Sequence, residues 1–156
     1  MARILMVAAE GLPFIKSGGL ADVIGSLPNE LAKKGHEVRV IMPLYLKIAQ
    51  KFHHEFTLEA QFSVSIAYHE VPVNIWSTMR KDVKFYFVEH KGYFEREEMY
   101  GHIDDGERFA YFQKAVIEMC NQLNYFPEIM HCHDWHTGMI PAMCKEGHSF
   151  DERYRN

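Results

Sequence analysis

The chain has 156 residues, 47% of them hydrophobic, and a formal net charge of −4. Such a length and apolar content support one domain with a sizeable core and exclude a disordered chain. The acidic balance, with no block of Lys or Arg, argues against nucleic acid as the main partner.

Ile4 to Ala9 is a continuous apolar run, the pattern of a strand buried on both faces, and a strand is predicted near 3–9. A loop from Glu10 to Gly19 follows, carrying Gly11, Pro13, Gly18 and Gly19. Leu20, Val23, Ile24, Leu27 and Leu31 then recur at helical spacing, with Gly35 as the stop. Pro28 lies inside that helix and removes a backbone donor, so a kink is expected between Ile24 and Pro28. A strand near 37–42 ends at Pro43. Tyr45 to Glu59 has weak periodicity and reads as an exposed excursion.

Phe62, Val64, Ile66 and Tyr68, then Val71, Val73 and Ile75, alternate as the two arms of a hairpin over 62–76, expected to stand apart from the main sheet. A strand is predicted at 83–89. Phe109, Phe112, Val116, Met119 and Leu123 form a helical stripe, opened by the acidic Asp104 and Glu107. A strand near 128–133 follows, and then a short helix from His136 to Lys145 that Pro141 is expected to kink. Alternating strands and helices predict a parallel, Rossmann-like α/β sheet in the order 3-2-1-4, with the hairpin as an insertion. Arg153 to Asn156 offer neither a helix stop nor a closing strand, so the chain reads as cut in mid-domain.

Cys120, Cys132 and Cys144 share no CxxC spacing, and an odd, sparse count suits a reducing compartment. No charged-then-apolar leader precedes the first strand and no apolar run is long enough for a bilayer, so a cytoplasmic protein without a membrane partner is expected.

Two loops carry unusual chemistry. In Lys16-Ser17-Gly18-Gly19-Leu20-Ala21-Asp22, glycines admit a ligand close to the backbone. The helix start favours a phosphate and Lys16 adds a positive charge. Asp22 either caps the helix or holds the loop. This is neither a Walker loop nor GxGxxG, and a lone Gly-Gly is also simply a turn. The second loop, His131-Cys132-His133-Asp134-Trp135-His136-Thr137-Gly138, follows the strand predicted beside the first one. Both loops then face the crevice where open α/β sheets bind ligands. His131 and His133 share one strand face and Cys132 the other, which disfavours a tetrahedral zinc set. His131 alone reads as a core histidine. Asp134 and Trp135 suit sugar hydroxyls and a pyranose face, while core packing accounts for Trp135 equally well. A third patch, Glu98 to Asp105, holds Tyr100 in an acidic, glycine-bearing loop before a helix.

Together these runs resemble the bacterial glycogen synthase and plant starch synthase family. KSGGLADVIGSLP from Lys16 to Pro28, GHEVRVIMP from Gly35 to Pro43, Tyr100-Gly101 with Glu107-Arg108-Phe109, and the His131–Gly138 block occur in order over nearly the whole chain. The family's usual Thr in the first motif is Ser17 here. The resemblance implies that residues 1–156 are an incomplete N-terminal, acceptor-side half of a two-domain GT-B glycosyltransferase whose nucleotide-binding half is absent. It implies glucose transfer from ADP-glucose to an α-1,4-glucan with retention, without metal or cofactor. A plant source would place the enzyme in the plastid. By the same resemblance Lys16 contacts the sugar nucleotide, Gly18 and Gly19 form its diphosphate-side backbone, and Asp22 supports that loop within the substrate-binding set. Tyr100, Asp134 and Trp135 line the sugar or acceptor side. No catalytic residue is assignable within the chain, and the chain alone is expected to be inactive. A non-catalytic glucan- or nucleotide-binding module and a UDP-glucose-dependent relative are the competing readings.

Overall fold

A computed structural model describes residues 1–147 and Arg153. Six strands form one sheet: β1 Arg3–Val7, β2 Glu37–Pro43, β3 Thr57–Ile66, β4 His69–Arg80, β5 Val83–Glu89 and β6 Ile129–Cys132. Their order is β3-β4-β5-β2-β1-β6. β5, β2, β1 and β6 are parallel neighbours, the 3-2-1-4 arrangement that the strand–helix alternation predicts. Leu5, Met6 and Val7 are fully buried, as an interior parallel strand requires.

The hairpin is not separate. β4 pairs antiparallel with β5 from Asn74↔Glu89 to Arg80↔Val83, so β3 and β4 extend the main sheet. The cause is the two-residue connection at Lys81-Asp82, too short for anything but an antiparallel neighbour; Lys81 turns it with φ 54°. Alternation along one hairpin carries no information about a third partner strand, which is why the sequence pattern misses this.

The helices are α1 Gly19–Lys33, α2 Leu46–Phe52, α3 Lys91–Phe94, α4 Asp105–Gln122 and α5 Ile140–Gly147. α1 runs unbroken through Pro28. The expected excursion after Tyr45 is instead α2 and a short 3-10 turn, His53–Glu55, with Tyr45 and Ile48 buried. Rings hold it down: Phe14 packs edge-on against Phe52 and Phe56 stacks on Phe87 at 4.4 Å. So few buried positions leave little period to read. In α5 Pro141 falls in the first turn, where a missing N–H is tolerated. His131, expected in the core, is exposed on β6, the last strand of the sheet among the described residues. The expected break at Arg153 to Asn156 lies outside the described residues except for Arg153, whose guanidinium sits 4.5 Å over the Phe126 ring.

Candidate active site at the carboxyl ends of β1 and β6

The β1–α1 loop is folded onto its own helix. Gly11 and Ile15 exchange backbone hydrogen bonds at 3.1 and 3.0 Å. A Cβ on Gly11 would lie 2.5 Å from Ile24 Cγ2, so only glycine lets the loop lie against α1. Glu10, at the end of the β1 run, is buried. Its Oε2 accepts from the Ser17 N–H at 2.7 Å and the Ser17 hydroxyl at 2.5 Å, and its Oε1 accepts from the Gly18 N–H at 3.2 Å. An internal carboxylate thus occupies part of the positive helix start that the sequence reading reserves for a phosphate.

Lys16 Nζ lies 2.7 Å from both carboxylate oxygens of Asp22, with both side chains about half exposed. Asp22 therefore holds Lys16 and does not cap α1, whose N-cap is Gly18, a residue with no side chain to cap it. A Cβ on Gly19 would meet nothing within 4 Å, so packing inside the chain does not explain that glycine.

The second loop is built differently. Thr137, fully buried, donates to the His133 carbonyl at 2.9 Å. The Met139 N–H donates to Gln113 of α4 at 2.7 Å, which moors the loop to that helix. Asp134 adopts φ 65° and ψ 178°, a conformation other residues avoid at a cost of ~1–3 kcal/mol. Its carboxylate accepts from the Trp135 N–H at 2.6 Å. Trp135 is 55% exposed, edge-on to Phe109 and stacked on His136 at 4.1 Å. His136 is buried among Tyr100, Phe109 and Trp135, and its Nδ1 has no partner. Burial keeps it neutral by lowering its pKa, opposed by the charges of Asp134 and Glu10. His133 is held down to about 4, by burial and by His131, whose ring lies 4.1 Å away.

Tyr100 joins the loops. Its half-buried ring lies 4.8 Å from His136 and 6.5 Å from Tyr45. Burial, then the Glu10 carboxylate, raises its phenol pKa, so it stays a neutral donor and acceptor. Val7 of β1 lies opposite Cys132 of β6, so the two loops leave the sheet side by side, and, burial aside, the Glu10 charge raises the pKa of Tyr45, Tyr100 and His136. Among the described residues, no group of three or more His, Cys, Asp or Glu side chains is placed to hold a metal ion. Nor is any helix there long and apolar enough to cross a membrane.

A family profile described as the starch synthase catalytic domain matches residues 3–156. The chain belongs to that family. It is 44% identical over 154 residues to a glycogen synthase of Streptococcus agalactiae serotype III, covering 99% of this chain and 32% of that protein. A glycogen synthase of Streptococcus gordonii is 45% identical over the same shares. The chain thus spans about a third of the curated relatives it matches. The solved catalytic domain of starch synthase IV from Arabidopsis thaliana, bound to ADP and acarbose, superposes with a TM-score of 0.82 at 28% identity, over 93% of this chain and 30% of that one.

Within this family fold, the sequence-derived residues gather as two groups bridged by Tyr100: Lys16 and Gly18 on the first loop with Gly19 and Asp22 in the first turn of α1, and Asp134 and Trp135 on the second loop. Sequence reasoning missed three residues of the same cluster. Glu10 was legible as a lone acid ending an apolar strand. Arg108 enters the sequence reading only as part of the Glu107-Arg108-Phe109 run, with no site role, and it is completely buried. His136 gave no sequence sign of burial.

Proposed function

We propose that this chain supplies part of the N-terminal, acceptor-side half of a retaining glucosyltransferase that moves glucose from ADP-glucose to the non-reducing end of an α-1,4-glucan. The observation that carries the reading is that the loops holding Lys16–Gly19 and Asp134–His136 leave the carboxyl ends of two neighbouring parallel strands, β1 and β6, in a chain of the starch synthase family. Lys16, held but exposed, offers a cation to a diphosphate, and the open start of α1 at Gly19 lets the ligand approach the backbone. Trp135 offers an exposed ring face and Tyr100 a neutral hydroxyl to a sugar. That the Arabidopsis relative was solved with ADP and acarbose supports a nucleotide and a glucan-like ligand for this cleft. Chemistry in the cleft needs a second wall to exclude water and clamp the diphosphate, so residues 1–156 alone bind at most and do not turn over.

The test is glucose transfer to glycogen by the complete enzyme that carries this chain, with ADP-glucose and UDP-glucose compared. Transfer from ADP-glucose at the higher kcat/KM is expected. Preference for UDP-glucose overturns the donor assignment, and sustained transfer by residues 1–156 alone overturns the need for the second half.

A further inference from the structure

We infer that Arg108 is the positioning residue of Tyr100, setting its place in the cleft through a clamp on the backbone either side of it. Arg108 stands in the first turn of α4 and its side chain is fully buried. The guanidinium lies near the Phe94 and Phe109 rings, at 5.4 and 5.3 Å. Nε donates to the Tyr93 carbonyl at 2.7 Å, and Nη1 donates to the Met99 carbonyl at 3.2 Å and to Asp105 Oδ1 at 2.5 Å. Asp105 Oδ2 in turn accepts from the Gly101 N–H at 2.8 Å. One ion pair therefore fixes the residue before Tyr100 and the residue after it. Gly101 has φ +87°, so the chain turns sharply there, and the turn needs both glycine and an anchor.

Every hydrogen bond the side chain of this arginine makes among the described residues goes to the segment 93–105; its Nη2 has no partner. The flanks of that segment are tied independently, by the Arg96–Asp104 pair with two contacts of 2.7 Å. The Arg108–Asp105 pair thus holds the tip that carries Tyr100, beyond the Arg96–Asp104 tie. A lysine in its place keeps the charge but offers a compact ammonium instead of a planar fork, and does not reach Tyr93, Met99 and Asp105 together.

The inference rests on the glucosyltransferase reading, and its test separates the two. In the complete enzyme, Arg108→Lys should speed amide hydrogen exchange at Gly101 about tenfold or more, since its acceptor is no longer held. It should also lower donor kcat/KM by about tenfold. Combined with Tyr100→Ala, the losses should be strongly non-additive, the double variant falling within about threefold of the worse single one. A purely structural arginine gives additive losses. Unchanged Gly101 exchange, or additive losses, overturns the clamp. Where Arg108→Lys does not fold, Asp105→Asn, which weakens the same clamp from the other side, must show the same non-additivity with Tyr100→Ala. Gly101 exchange that responds to Arg108→Lys in an enzyme that does not use ADP-glucose at all upholds the clamp and refutes the functional reading.

Discussion

The two loops that leave the carboxyl ends of the neighbouring strands β1 and β6 are built in opposite ways. In the β1–α1 loop the polar groups find partners inside the chain: Glu10 takes Ser17 and Gly18, and Asp22 takes Lys16. In the β6–α5 loop Asp134 sits at a positive φ, Trp135 is half exposed, and the ring nitrogens His133 Nε2 and His136 Nδ1 are buried without partners. The first loop is pre-built, while the second carries strain and unused hydrogen-bonding capacity. Strain and unsatisfied polar groups of this kind collect where a ligand completes the arrangement. On the proposed glucosyltransferase reading, the first loop is the rigid platform beside the diphosphate and the second loop reads the sugar.

The largest effect should come from dismantling the pre-built loop. Glu10→Ala strands two N–H groups and a hydroxyl, and should cost about 3 kcal/mol of stability together with nearly all donor use. Denaturation and transfer assays on the complete enzyme check both; an unchanged melt would show that the loop does not depend on its internal carboxylate. Next, Lys16→Ala should lower donor-dependent rate by about ten- to a hundredfold and hardly alter the melt. Its pair with Asp22 is half exposed and worth only ~0–1 kcal/mol, whereas a charged contact to a diphosphate is worth roughly 1.5–3 kcal/mol. A loss fully matched by a lowered melting temperature would make Lys16 an ordinary surface residue.

The second loop should answer with the opposite sign. Asp134→Gly removes the positive-φ penalty and should stabilise the fold by about 1 kcal/mol while lowering kcat/KM by about tenfold. A variant both less stable and fully active contradicts the strained-site reading. The smallest effect concerns pH. Folded His133 titrates at about 4, below the ordinary histidine value of 6.5. The unfolded chain therefore takes up the proton first, so the contribution of the neutral ring is complete above pH 6.5 and is lost as pH falls towards 4. His133→Gln should flatten the fall in melting temperature between pH 7 and pH 4.5; an unaltered slope assigns acid sensitivity to other groups.

How far the sequence carries this picture depends on which force decides each element. Interior strands such as Ile4–Ala9 are legible because burial on both faces writes a continuous apolar run. The motif residues Lys16, Gly19, Asp134 and Trp135 are legible because polar and glycine residues interrupt that pattern. The joining of β4 to β5 is not legible, since it is fixed by a two-residue turn and by partners remote in sequence. Nor is the placing of Glu10, Arg108 and His136 in the interior, because a charged or titratable residue goes inside only when distant backbone groups and rings receive it. His131 makes the same point in reverse: its exposure depends on what neighbours β6, which periodicity within β6 does not record.

The most direct measurement is amide hydrogen exchange on the complete enzyme with and without saturating ADP-glucose and a maltooligosaccharide. The account predicts that protection rises in residues 10–22 and 131–139 together, ADP-glucose alone acting mainly on the first segment, while the β3–β4 hairpin, 57–80, is unaffected. Protection confined to the hairpin, or absent from both loops at saturation, would contradict a shared site at the carboxyl ends of β1 and β6.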